Sequence, residues 1–333
     1  MSKVLIIVFL IFGTVFGASF SSGNEIVVYF SRFGVLSYLY ILLAGFLLFW
    51  IVYFFLTSNI SKKLENSKFL NVLMFLISLV FCASMFAGIN DLFYYFPKWL
   101  FVVLMALMLV FCIVVTKKGV GGLEKANLIL MPITAIVFLI VLIYALSVSS
   151  DISLQTNSWA GFLYSPLYVA LNTCMGGVVI SQAGQNLSKK QAFWASVISS
   201  ALLVFFLLLG NFVLQQNSDS FLSEMPFLSI VSDNKFMFVL AYIVILIGCW
   251  TTLISLTVTL KAGFDKVTKS DNFSAFLAVF VPFLISVIGF AQIVSLLYPL
   301  CSVLGIFILL WIFLYKKGWK NFSLFLFFIS LFY

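Results

Sequence analysis

Glu25 is a carboxylate set inside hydrocarbon. From Val4 to Phe30 nearly every neighbour is apolar, and the acid follows the broken stretch Gly17-Ala18-Ser19-Phe20-Ser21-Ser22-Gly23-Asn24. An ionisable group at membrane depth is costly, so a chain keeps one there where it lines a site or a pathway. The adjoining Gly and Ser residues weaken a helix and release backbone N–H and C=O groups that lipid cannot satisfy. A bound ion or solute can satisfy them. The pattern points to a small hydrophilic ligand held near the midplane.

A second polar and glycine-rich stretch, Asn172-Thr173-Cys174-Met175-Gly176-Gly177, interrupts another apolar segment. Each interruption also has a packing reading. Gly13 and Gly17 stand at the spacing that lets two helices approach closely. Two interruptions in corresponding places, one of them carrying a carboxylate, favour a binding site over packing alone. Enzymatic chemistry is excluded on residue type: the chain has no histidine, and intramembrane aspartyl chemistry needs two carboxylates where Glu25 stands alone. The missing histidine also argues against a conventional zinc site, and no cofactor is expected. Cys82, Cys112, Cys174, Cys249 and Cys301 all lie in apolar segments without paired spacing and read as small buried hydrophobes.

The elements that hold these residues are membrane spans. With 64% hydrophobic and 8% charged residues, the 333-residue chain cannot be a soluble globule. Segments of roughly 20 apolar residues cross a bilayer as helices. Ten are read at residues 4–31, 35–57, 69–90, 98–116, 126–148, 160–186, 191–214, 236–260, 272–289 and 292–315. The last two share one nearly uncharged run with lysines at both ends, which demands an even number of crossings and a turn near Gly289–Gln292. Phe322–Tyr333 is too short for a full span and reads as a frayed eleventh helix or an interfacial segment. Lys3 ahead of an apolar run also resembles a signal peptide, but apolar residues resume after Glu25 and no small-x-small cleavage site appears.

Charge sets the orientation. One side carries Lys3, Lys62, Lys63, Lys68, Lys117, Lys118, Lys125, Lys189, Lys190, Lys261, Lys266, Lys269, Lys316, Lys317 and Lys320; the other carries Arg32, Lys98 and Lys235. The ratio of 15 to 3 places the N-terminus in the cytoplasm. The net charge of +8 therefore reports topology, with no nucleic-acid partner implied. The partners expected are the lipid bilayer and a small-molecule substrate. Five spans in residues 1–150 and five in 151–317, followed by a short segment 318–333, make two halves of opposite orientation. The first and sixth spans then correspond.

At these residues the chain resembles a known group. Gly17-Ala18-Ser19-Phe20-Ser21-Ser22-Gly23-Asn24-Glu25, followed by Phe30 and Phe33-Gly34, resembles the opening signature of YkvI-type bacterial membrane proteins, close to G-x-G-F-A-S-G-Q-E. These are members of the amino acid–polyamine–organocation (APC) transporter superfamily. Tyr168 to Asn172 in the sixth span and Thr251-Thr252 in the eighth extend the resemblance. Asn24 stands where Gln is usual, and Ser19 where Gly is.

The resemblance implies an all-α integral membrane protein of LeuT fold, a 5+5 inverted repeat, in the bacterial inner membrane. It implies a secondary transporter of an amino acid or related amine, working by alternating access and coupled to sodium. Sodium would lie at the backbone oxygens of Gly17, Phe20 and Gly248 and the hydroxyls of Thr251 and Thr252. Substrate would lie at Ser19, Gly23, Asn24, Glu25, Thr173, Met175 and Gly176, with the N–H groups of Ser19 and Gly23 facing a carboxylate. The segment from Gln215 to Lys235 would form an external lid; its plain reading is a solvated linker. Proton-coupled relatives place a lysine in the fifth span, and Ala126 to Leu146 contains none. A proton-coupled transporter and a transporter-fold sensor are the alternatives. Glu25 has four roles open to it: holding a substrate ammonium, carrying a proton, capping its own half-helix, or serving as a structural partner to Arg32, two turns away and not directly on the same face.

Overall fold

The computed structural model describes residues 3–58, 68–93, 97–117, 119–148, 157–185 and 187–317. The segment 322–333 lies outside them. Every regular element among the described residues is helical. The first span comprises α1 (Lys3–Val15), α2 (Ala18–Ser21) and α3 (Asn24–Tyr29). Next come α4 (Ser37–Thr57), α5 (Lys68–Phe93), α6 (Lys98–Lys117), α7 (Gly119–Val148), α8 (Gly161–Gly184) and α9 (Lys189–Gln216). The remainder are α10 (Pro226–Ile230), α11 (Lys235–Phe264), α12 (Asp271–Ile285), α13 (Phe290–Gln292) and α14 (Tyr298–Lys317). Seven of these helices are long and apolar enough to cross a membrane. At 24 residues α8 is about 36 Å long, which also suffices.

These helices are apolar on all faces because two kinds of apolar neighbour surround them. In α4, Tyr40, Ile41, Ala44, Leu48 and Val52 are buried, while Leu39, Leu42, Phe46 and Trp50 form an exposed stripe suited to lipid. The turn expected near Gly289 is present. Gly289 has φ 101°, a left-handed conformation that separates α12 from α13 and costs other residues more. A π turn at Ile293–Leu297 joins α13 to α14.

The first span is broken as expected. Gly17 is extended, and Gly23 turns the chain with φ 89° between α2 and α3. The sixth span is not broken. α8 runs as continuous α-helix through Asn172, Thr173, Gly176 and Gly177. The physical reason lies in where the polar groups go. The Thr173 hydroxyl donates to the Val169 carbonyl, and the Asn172 amide donates to the Tyr168 carbonyl at 3.1 Å, each back-bonding its own helix. The glycines give close approach: a Cβ on Gly176 would fall 2.9 Å from Thr14 Oγ1, and one on Gly177 2.5 Å from the Phe55 ring.

α1 sits in the middle of the bundle, packed against α7, α8, α9 and α11. Helices five spans apart also pack together: α1 with α8, α4 with α9, α5 with α11 and α6 with α12.

Candidate functional site

The break in the first span is stabilised by its own serines. Ser21 Oγ donates to the Gly17 carbonyl at 2.8 Å, and Ser22 Oγ to the Ser19 carbonyl at 3.3 Å. Serines at a break thus supply part of what the interrupted ladder lacks.

Glu25 lies in the first turn of α3 and is 1% exposed. One carboxylate oxygen accepts from Ser19 Oγ at 3.0 Å, the other from Asn172 Nδ2 at 2.9 Å. The Ser19 hydroxyl also lies 3.3 Å from Tyr298 Oη, which pairs with Ser84 Oγ at 2.9 Å. Tyr29 Oη meets Ser302 Oγ at 2.6 Å alongside. One carboxylate therefore ties the first span to α8 directly, and to α14 and α5 through Tyr298. Ion pairs among the described residues join Lys261 to Asp265 and Asp271, and among those residues no basic side chain meets Glu25. Two further buried atoms nearby, Asn172 Oδ1 and Tyr168 Oη, have no hydrogen-bond partner among the described residues.

The other expected substrate residues are distributed around this point. Ser19, Gly23 and Asn24 lie on either side of the left-handed turn; Asn24 is half-buried. Thr173 is buried and spends its hydroxyl on its own helix. Gly176 meets Thr14 on α1, one turn before the break. The Met175 side chain lies outside the described residues. The Gly23 N–H, expected to face a ligand carboxylate, donates to the Phe20 carbonyl at 3.1 Å.

The residues expected to hold a cation come to the other side of the same break. A Cβ on Gly248 would lie 3.4 Å from the Gly17 carbonyl oxygen, and one on Gly17 would lie 3.1 Å from Thr252 Oγ1. Their oxygens bond within the protein here. Thr252 Oγ1 donates to the Gly13 carbonyl at 3.3 Å, and Thr251 Oγ1 lies 3.2 Å from the Gly248 carbonyl. The Phe20 carbonyl accepts from Gly23.

The segment between α9 and α11 roofs the break. α10 places the Phe227 N–H on the Ser22 carbonyl at 2.9 Å, and the Phe227 ring is fully buried against Gly23, Gly210 and Phe138. The C-terminal end of the first span is tied down by a polar network. Ser31 donates to Asn211 Oδ1, Asn211 to Ser37, and Gln215 to the Gly34 carbonyl. Ser84, Tyr298 and Asn211 were not expected from sequence. The available signal was each one's polarity inside an apolar run.

No protein-family model matches the chain. It is similar to the "Uncharacterized membrane protein YkvI" of Bacillus subtilis (strain 168), 23% identical over 312 residues that cover 88% of this chain and 90% of that one. Its structure aligns with that of Mhp1, a nucleobase-cation-symport-1 family transporter in a closed conformation with bromovinylhydantoin bound. The TM-score is 0.49 at 13% identity, over 91% of this chain and 77% of that chain. The likeness to YkvI thus extends along most of the chain, whose several long apolar helices make it a multi-pass membrane protein.

Proposed function

We propose that this chain is a secondary active transporter of a small polar solute, an amino acid or related amine, in the bacterial inner membrane with its N-terminus in the cytoplasm. One observation carries the reading. A buried carboxylate with no cationic partner among the described residues stands at the break in the first span, where four other helices meet that span. Such a group is retained at membrane depth for a ligand or a proton. The helix pairings five spans apart support a 5+5 repeat of LeuT type. Alternating access then moves one set of helices against the other around the break.

Sodium is proposed at Gly17, Phe20, Gly248, Thr251 and Thr252, whose oxygens suit a hard monovalent cation once the threonine hydroxyls rotate away from backbone carbonyls. A second reading, proton coupling, is favoured by the unpaired state of Glu25 itself. Counterflow in proteoliposomes tests the whole. Radiolabelled substrate should exchange, Glu25→Gln should abolish exchange in a folded protein, and replacing sodium by choline should stop concentrative uptake. Uptake undiminished in choline moves the coupling to protons. Binding without exchange makes the protein a sensor.

A further inference from the structure

Resting on the transporter reading, we infer that Asn127 and Ser255 form a built-in release for α1: polar side chains kept dry by that helix, whose cost is relieved when α1 tilts and water reaches them. Both come from neighbours of α1, Asn127 on α7 and Ser255 on α11. The Asn127 amide lies flat on Gly13, since a Cβ there would fall 2.7, 2.8 and 2.9 Å from its Nδ2, Cγ and Oδ1 atoms. The side chain is wholly enclosed, with no space beside it for a water molecule. Neither Nδ2 nor Oδ1 has a hydrogen-bond partner among the described residues.

Register places Ser255 beside the same stretch. A Cβ on Gly248 would lie 3.1 Å from the Phe16 carbonyl oxygen, and Thr252, one turn on, donates to the Gly13 carbonyl at 3.3 Å. α11 therefore runs antiparallel to α1, and Ser255 stands on the same face a turn further, level with Leu10. It is 1% exposed, and its Oγ also has no partner among the described residues. α1 cannot supply what these groups lack. From Val4 to Phe12 every side chain is apolar, and the Thr14 hydroxyl goes to the Ile11 carbonyl. The interior N–H groups of a helix are spent on its own ladder. A buried polar atom left without a partner shifts a two-state equilibrium by about fivefold to 150-fold. A state in which water reaches the atom escapes that cost. Asn127 Nδ2, Asn127 Oδ1 and Ser255 Oγ thus weight the equilibrium toward opening, while the bond from Thr252 to Gly13 pulls the other way.

Thiol accessibility on the full-length chain in nanodiscs tests this. Leu10→Cys, in a background lacking the five native cysteines, places a reporter at a fully buried position on α1. Asn127→Leu keeps the branched outline and removes both polar atoms. Labelling by a hydrophilic maleimide should then slow at least about tenfold, with a melting temperature equal to or above that of the parent. Ser255→Ala should slow it about fivefold and carries the test should Asn127→Leu fail to fold. Thr252→Val deletes a hydroxyl that does have a partner and should instead accelerate labelling. Unchanged or faster labelling in folded Asn127→Leu or in Ser255→Ala overturns the inference, as does slowing in all three variants, the mark of a general tightening by apolar substitution. Labelling needs no solute, so counterflow separates the two readings. Slowed labelling with no exchange of any solute keeps the release and removes the transporter; exchange with unchanged labelling removes the release alone.

Discussion

Phe227→Ala should open the roof over the break. The ring is fully buried, sits 3.0 Å from where a Cβ on Gly23 would lie and 3.1 Å from that of Gly210, and meets Phe138 edge-on at 5.6 Å. Truncating a buried Phe costs about 3–5 kcal/mol, and an aromatic pair adds about 1 kcal/mol to that. The ring packs this way only while the roof is docked, so the destabilisation falls on the closed state and spares an open one. At about 3 kcal/mol the open population rises about 150-fold, up to the point where half the molecules are open. The backbone bond from the residue 227 N–H to the Ser22 carbonyl survives the substitution and keeps part of the docking energy. Accessibility reads the effect. Ser22→Cys, in a background lacking the five native cysteines, places a thiol at a fully buried position under the roof. Labelling by a membrane-impermeant thiol reagent added outside should accelerate by at least about tenfold when Phe227→Ala is added. A rate within twofold of the Phe227 parent would refute the roof, since the ring would then not limit access.

Two further predictions concern packing and the joint between α11 and α12. A Cβ on Gly184 would fall 2.4 Å from the Leu56 carbonyl oxygen, a backbone atom that cannot move aside, whereas one on Gly88 meets nothing nearer than 3.4 Å. Gly184→Ala should lower the melting temperature by an amount equivalent to about 1–3 kcal/mol, and Gly88→Ala should leave it unchanged or raise it by up to about 1 kcal/mol. At the lysine-rich end, Lys261 bridges Asp265 at 2.9 Å and also pairs with Asp271 on α12. Burial alone would raise the Asp265 carboxyl, but hydrogen bonds from Lys261 and Ser274 and the Lys261 charge win and hold it below the usual carboxylate range. A depressed carboxylate contributes stability that is present above its unfolded pKa and is lost as pH falls through its folded one. The carbon-13 shift of Asp265 should therefore titrate below about 3.9 and return to about 3.9 in Lys261→Met; equal midpoints would dismiss the joint.

What the sequence made legible was the property that local chemistry decides. Span limits follow from where hydrocarbon gives way to lysine, and the break in the first span from Gly17 and Gly23, the latter at φ 89°. The turn at Gly289 follows from lysines at both ends of an apolar run. The sixth span shows the limit of such reasoning. Asn172, Thr173, Gly176 and Gly177 suit an interruption and a packed polar helix equally well. The choice depends on Thr14, Phe55 and Glu25, more than a hundred residues away in the chain. The partnership of Ser84 with Tyr298 is invisible for the same reason, as is the seating of Phe227 on Gly23. Each side chain alone gives no sign of which distant residue it will meet.

A single broken span is enough for a hinge, because the two sides of the break are fastened unequally. The part after the break is bound to α9 and the start of α4 through Ser31, Gly34, Ser37, Asn211 and Gln215, with bonds of 2.7–2.9 Å. The part before it, α1, ends at Val15. It is tied to α11 by the 3.3 Å bond between Thr252 and the Gly13 carbonyl, and against α8 it packs through Thr14 on Gly176. α1 also packs on α7 and α9, with Phe12 against Phe206, but such apolar contacts lack fixed direction, whereas a short polar network holds its geometry. Motion should therefore concentrate at Phe16 and Gly17, with α1 tilting while α3 stays anchored. Glu25 is on the anchored side and should keep its bond to Asn172 while α1 tilts beside Thr252.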